Sequence, residues 1–187
     1  MFGREAGSGR RVVRGDQGRT TSAPLYSPEE RLRRDLSPWT LVQGILAPLQ
    51  FVVFLVSLAL VLRFLATGEG YQAAVISIVV KTLVLYTIMV TGAIWEKAVF
   101  GVYLFARPFF WEDVFSMAVL ALHTAYLLAL ATGSLDPTGL MLLALAAYAA
   151  YVINAAQFVL KLRAARREAP AVAGVALTGM PPAGGLR

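Results

Sequence analysis

The chain has 187 residues, 58% of them hydrophobic and only 15% charged, with a net charge of +6 and a mean hydropathy of +0.66. A soluble domain carries about a quarter charged residues, so the composition excludes an ordinary soluble globule. The absence of cysteine excludes disulfides and thiolate chemistry, and a single histidine, His123, is too few for a protein-built zinc site.

Residues 1–25 are rich in Gly, Arg, Ser and Thr and are expected to form a disordered basic tail. No apolar signal-peptide core precedes the first long apolar run, which is expected to act as its own insertion signal. The segment SPEERLRRDLS, residues 27–37, predicts a short amphipathic helix on the membrane surface. Ser27 is placed to cap it, Pro28 suits its first position, and Glu30 completes a capping box.

Four apolar segments follow. Residues 36–62, 114–135 and 137–160 contain no Asp, Glu, Lys or Arg, and 70–95 contains only Lys81. Each exceeds the roughly 20 helical residues needed to cross a bilayer. Spans are predicted at about 39–65, 72–95, 111–131 and 140–160, with Pro48 as a kink point in the first. WEKAVFGVYLFARPFFWED joins spans two and three with aromatics and charges suited to an interface. TGSLDPTG turns the chain into span four. Residues 168–187 read as a disordered tail, leaving 26–167 as the transmembrane domain.

Lys and Arg counts set the orientation. Eight Arg precede span one, Lys161, Arg163, Arg166 and Arg167 follow span four, and Lys97 and Arg107 lie in the middle connection. The other two connections hold only Arg63, offset by Glu69 and Asp136. The expected fold is therefore an all-α membrane protein with four transmembrane helices, both termini cytoplasmic and a short interfacial N-terminal helix. The basic residues flank the spans, where they read as topology signals and lipid contacts rather than nucleic-acid ligands.

Helical geometry sorts the polar residues into faces. Gln43, Gln50 and Ser57 share a face of span one with Ala47 and Phe54. Glu112, Ser116, His123 and Tyr126 lie within about 80° of one another on span three, and Tyr151, Asn154, Phe158 and Lys161 form a stripe on span four. Lipid cannot satisfy such groups, so a polar cavity opening toward the cytoplasmic leaflet is expected, with Lys81 and His123 nearer mid-membrane. Ionisable residues inside spans are candidate functional residues. Each has a structural reading as well. Glu112 and Asp113 open a helix, where negative charge is favourable. Lys97 fits a surface pair with Glu96, and Asn154 and Gln157 fit interhelical hydrogen bonding. His123 could simply bond a backbone carbonyl, and Lys81 needs a carboxylate or water to stay charged. The alanines of ALAAYAAY read as close helix packing.

The runs SPWTLVQGILAPLQFVVFLVSLALVLRFLATGEGY, KTLVLYTIMVTGAIWEKAVFG, FFWEDVFSMAVLALHTAYL and YVINAAQFVLKLRAAR resemble the vinyl bacteriochlorophyllide hydratase family, over about residues 26–167. The resemblance implies a lyase of bacteriochlorophyll a synthesis that adds water across the 3-vinyl group of chlorophyllide a, or of the matching bacteriochlorophyllide, giving a 3-(1-hydroxyethyl) group. It implies a planar magnesium tetrapyrrole with a free propionate as substrate, no redox cofactor or protein-bound metal, and an inner or intracytoplasmic photosynthetic membrane as location. Other enzymes of the same synthesis are the protein partners to expect.

Vinyl hydration needs a proton donor, a positioned water and a proton acceptor. Desolvation favours the neutral form of an acid, which suits a donor. Glu112 is the first candidate donor and Glu96 the second, with Asp113 orienting water or accepting the proton. His123 is a candidate axial ligand of the substrate magnesium or a proton-transfer group. Lys81, Lys97 and Arg107 are candidates to pair with the propionate, and Tyr151, Asn154 and Gln157 to hydrogen-bond the ring or the water. Trp95, Phe109, Phe110 and Trp111 are candidates to stack on the macrocycle. Two other classes fit the polar residues: a pigment-binding subunit built around His123, and a proton-coupled transporter, which the lack of an evident internal repeat disfavours.

Overall fold

A computed structural model describes residues 25–178, with side chains described as far as Arg163. Most of the expected N-terminal tail, and residues 179–187 of the expected C-terminal tail, lie outside the described residues. The described part is five helices and one 3-10 turn: α1 (Pro28–Leu36), α2 (Pro38–Thr67), α3 (Tyr71–Phe100), the turn Arg107–Phe109, α4 (Phe110–Thr132) and α5 (Pro137–Thr178). Four helices are long and apolar enough to cross a membrane. The protein is therefore an all-helical, multi-pass membrane protein.

The predicted spans fall inside the observed helices, which run a few residues longer at most ends. α2 continues through Pro48 without interruption. α5 extends to Thr178, beyond the expected boundary at 168; residues 162–169 are mostly Ala and Arg, good helix formers, and the helix continues through Pro170 and Gly174. α1 has the expected capping box: the Glu30 amide donates to Ser27 Oγ at 3.2 Å, and the Ser27 amide to Glu30 Oε2 at 2.7 Å.

Two helical hairpins make up the bundle. α2 packs most extensively on α3, and α4 on α5, while the α2–α5 and α3–α4 contacts are sparser. Gly68 ends α2 with φ +75° and donates its amide to Phe64 O at 2.7 Å, a left-handed cap that a side chain would strain. Polarity is inverted relative to a soluble protein. Leu41, Ile45, Phe51, Leu55, Leu83 and Leu128 are exposed, whereas Gln50, Ser57, Lys81, Glu96, Glu112, Asp113, Ser116 and His123 are buried. Lipid can accept the first group but cannot hydrogen-bond the second.

An aromatic cluster closes one end of the bundle, where Tyr26, Phe100 and Phe109 stack with Trp95 and Phe158 around them. The Arg34 guanidinium sits 4.8 Å from the centre of the Tyr26 ring. Burial pushes the Tyr26 phenol above its usual range despite this cation, so it stays neutral at physiological pH. α1 is thereby tied to the ends of α3 and α4.

Candidate active site

Two polar centres lie inside the bundle. The first joins the end of α3 to the start of α4. The chain between them leaves α3 through Gly101, at φ +84°, and passes Phe105, the only described non-glycine residue with positive φ, at +61°. That conformation is sparsely populated for a bulky residue and is held by a carboxylate: the Phe105 amide donates to Asp113 Oδ2 at 2.7 Å. The next amide, of Ala106, donates to Glu96 Oε2 at 3.1 Å. Glu96 and Asp113 thus anchor consecutive backbone amides of one turn, which brings the two carboxyl groups close together.

Glu112, beside this pair on α4, has a different partner. Its Oε2 is 2.6 Å from Lys161 Nζ on α5, and that ammonium lies 5.2 Å from the centre of the Phe109 ring. Glu112 is therefore a carboxylate in an ion pair. One turn deeper, Asn154 Nδ2 donates to Ser116 Oγ at 2.8 Å. The Asn154 Oδ1 and Gln157 Oε1 atoms are buried and have no hydrogen-bond partner. Glu96, Asp113, Glu112, Lys161, Ser116, Asn154 and Gln157 thus converge from three helices.

The second centre lies about 15 residues deeper along α3, roughly 22 Å at 1.5 Å per residue. Lys81, 0% exposed, places Nζ 2.7 Å from His123 Nε2, and His123 Nδ1 is 2.8 Å from Val119 O. The carbonyl can only accept, so Nδ1 carries the proton and Nε2 accepts from the ammonium. Nζ also lies 4.5 Å and 5.0 Å from the centres of the Tyr151 and Tyr148 rings. Tyr148 and Ser57 share a 2.5 Å hydrogen bond, and Ser57 and Ser77 one of 2.8 Å. All four spans meet here.

The sequence-predicted residues divide accordingly. Glu96, Glu112, Asp113, Asn154 and Gln157 come together, with Trp95 in the aromatic layer beside them, donating Nε1 to Thr40 at 2.9 Å. Lys81, His123 and Tyr151 form the deeper centre. The carboxylate or water expected for Lys81 is replaced by a neutral imidazole and two aromatic rings. Both His123 nitrogens are engaged, so no lone pair is free for a magnesium ligand. Lys97 is exposed and donates to Gly101 O at 2.7 Å, and Arg107 is exposed. Trp111 is 67% exposed and meets Phe110 at the outer surface. These three stand apart from both centres. Ala47, expected on the buried face of α2, is exposed.

Where a polar cavity is expected, the polar side chains meet in direct contacts. Two apolar clefts lie at the periphery: about 460 Å³ between α2 and α3 around Val52, Val56, Ile76 and Val80, and about 290 Å³ between α3 and α4 around Tyr86, Met89, Leu120 and Thr124. Among the described residues, no three His, Asp or Glu side chains form a metal-binding group. Lys161, Ser57 and Tyr148 are the polar partners that sequence reasoning missed as site residues. Lys161 was visible as the i+7 companion of Asn154, and Tyr148 was taken only as part of a close-packed alanine face.

Four membrane-spanning helices enclosing two carboxyl groups on one turn, an ion pair and unpartnered amide oxygens define a multi-pass membrane protein with a buried ionisable cluster. The model of the family described as 2-vinyl bacteriochlorophyllide hydratase (BCHF) matches residues 26–164, and the chain belongs to that family. It is 72% identical over 145 residues to a protein of Rhodobacter capsulatus named 2-vinyl bacteriochlorophyllide hydratase, covering 78% of this chain and 84% of the relative. A protein of the same name from Cereibacter sphaeroides is 71% identical over 143 residues, covering 76% and 88%. No solved structure matches the chain.

Proposed function

We propose that this chain is a membrane-embedded hydro-lyase that adds water across the vinyl group of a chlorophyllide or bacteriochlorophyllide, giving a 1-hydroxyethyl group, in bacteriochlorophyll synthesis. The relatives' names point to the substrate. The observation that carries the chemistry is the division among three neighbouring carboxyl groups: Glu96 and Asp113 accept from consecutive backbone amides, while Glu112 is ion-paired with Lys161. On this reading the first two hold one proton between them. Acid and base are separated by environment, as hydration requires.

The Glu96–Asp113 pair gives its proton to the terminal vinyl carbon. The vinyl π bond supplies the electrons of the new C–H bond, leaving cationic character on the inner carbon, where the macrocycle delocalises it. Water forms a C–O bond at that carbon and loses a proton to Glu112. Asp113 follows Glu112 in the chain and shares the Phe105–Ala106 turn with Glu96, so the proton can return through it to the donor pair. The balance is one water added and no electrons exchanged, which is the reason for proposing that no redox cofactor takes part. The magnesium belongs to the substrate. This assignment moves the donor from Glu112 to Glu96 and Asp113, because a carboxylate held by an ammonium is a poor proton donor and a better acceptor.

The Trp95 layer offers aromatic faces to the ring. The pigment-binding alternative rested on a free His123, and the imidazole is engaged at both nitrogens. The basic flanks support cytoplasmic termini, with α1 at the interface, where exposed Leu32 and Leu36 can meet lipid. The bacteriochlorophyll reading favours the inner or intracytoplasmic photosynthetic membrane and contact with other enzymes of the synthesis.

The test is incubation of detergent-solubilised protein with chlorophyllide a, following absorption and product mass. Loss of vinyl conjugation with a mass gain of one water is expected. Stoichiometric binding of unchanged pigment would replace the hydratase by a carrier.

A further inference from the structure

The mechanism needs a water held against one face of the vinyl group, and beside the Glu112–Lys161 pair two buried amide oxygens have nothing to accept. Asn154 Oδ1 and Gln157 Oε1 are enclosed and unpartnered, a state that is rare for buried polar atoms and calls for a ligand. They lie three residues apart on α5, so their side chains emerge on one helix face about 5–6 Å apart at Cβ. The amide of Asn154 is fixed by its donation to Ser116 Oγ at 2.8 Å, which aims the opposite atom, Oδ1, away from Ser116. Lys161, one turn further along the same face as Gln157, reaches Glu112. The two oxygens therefore sit between Ser116 and the ion-paired carboxylate.

We propose that Asn154 and Gln157 hold the attacking water, resting on the hydratase reading above. A water bridging two carbonyl oxygens donates both hydrogens to them and directs a lone pair away from α5. Its attack gives a protonated alcohol, one O–H of which swings from its amide acceptor to Glu112, the carboxylate next to the pair, and loses its proton there. Fixing the water on α5 also fixes the face of the cation it attacks, so these amides set the configuration of the new hydroxyl-bearing carbon. They position water and carry no proton of their own.

The experiment uses full-length protein in detergent with chlorophyllide a in D2O, comparing wild type with the near-isosteric variants Asn154→Leu and Gln157→Met. Protonation by the carboxyl pair does not need this water, so each variant should still transfer deuterium to the terminal vinyl carbon. The cation then reverts by losing a hydrogen, and recovered substrate becomes deuterated at that carbon. Hydration should fall about 10²-fold with KM little changed, as for a misplaced reactant, and the product should lose its single configuration. Asn154→Asp, which keeps an oxygen acceptor, should retain a single configuration. Unchanged rate and configuration in a folded Asn154→Leu, Gln157→Met double variant would overturn the proposal. So would loss of exchange together with hydration in those variants, which would place the amides with the acid. Wild-type protein that neither hydrates nor exchanges would overturn the hydratase reading itself.

Discussion

The two buried polar centres answer the same problem, charge inside a bilayer, in opposite ways. At the α3–α4 junction, three carboxyl groups and one ammonium stand beside backbone amides. At mid-span, one ammonium is stabilised by a neutral imidazole and two aromatic faces, with no carboxylate in contact. The first arrangement has a proton to give and a carboxylate to receive one. The second has a tautomer locked by a backbone carbonyl and joins the two hairpins, α2–α3 and α4–α5, where their mutual packing is sparse. On the proposed mechanism, proton chemistry belongs to the first centre, and the second holds the halves in register.

The comparison is broken most directly at Glu96. Glu96→Gln keeps an oxygen for the Ala106 amide but abolishes the shared proton, and hydration should fall about 10²–10⁴-fold in protein that still elutes as a folded species. Asp113→Asn should act similarly. A Glu96→Gln enzyme with wild-type turnover would remove the carboxyl pair from the mechanism.

At mid-span the larger effect should be on stability. His123→Ala leaves the Lys81 ammonium buried without an acceptor, and breaking a buried polar pair from one side costs about 3–5 kcal/mol. Lys81→Met removes the charge itself and should be markedly milder in detergent unfolding, since replacing buried ions by apolar groups is often near neutral. The asymmetry is the informative quantity. Equal destabilisation by the two substitutions would contradict an unpaired ammonium, and a folded Lys81→Met protein with no activity would give the second centre a part in substrate binding.

Sequence patterning located the helices and the buried stripe of α4, because lipid leaves polar side chains only one direction to face. Glu112, Ser116, His123 and Tyr126 are all buried on one side, as their spacing predicts. The pairings were not legible. Whether Glu112 meets His123 along its own helix or Lys161 on the next depends on interhelical register, which periodicity within one helix does not contain. The Phe105 and Ala106 amides were equally hidden, since they depend on the path of a short irregular connection. Ala47 departs from its predicted face because that part of α2 is exposed on most sides.

Within the first centre, Glu112 and Lys161 should separate by size of effect. Glu112→Gln removes the proton acceptor, and turnover should fall about 10²-fold, at the low end of the range for a general base. Lys161→Met leaves the carboxylate in place and should cost less in rate. Wild-type turnover in a folded Lys161→Met protein would show that the ion pair is only a helix-to-helix tie.

The smallest expected effect tests how far the first centre depends on its cover. α1 reaches the site only through intermediaries: Thr40 donates to Arg34 O at 2.6 Å and accepts from Trp95, while Tyr26 stacks on Phe100. Ser27→Ala removes one half of the capping box, for about 1 kcal/mol of helix stability. Glu30→Gln, which still offers an oxygen to the Ser27 amide, should cost less. Because no α1 side chain touches the carboxyl groups, turnover should stay within about twofold for both, equivalent to less than 0.5 kcal/mol. Thermal unfolding in detergent and steady-state hydration measure the two quantities separately. A large loss of turnover with an unchanged unfolding midpoint would mean that α1 orders the aromatic layer against the substrate, and the boundary of the first centre would then extend to the membrane surface.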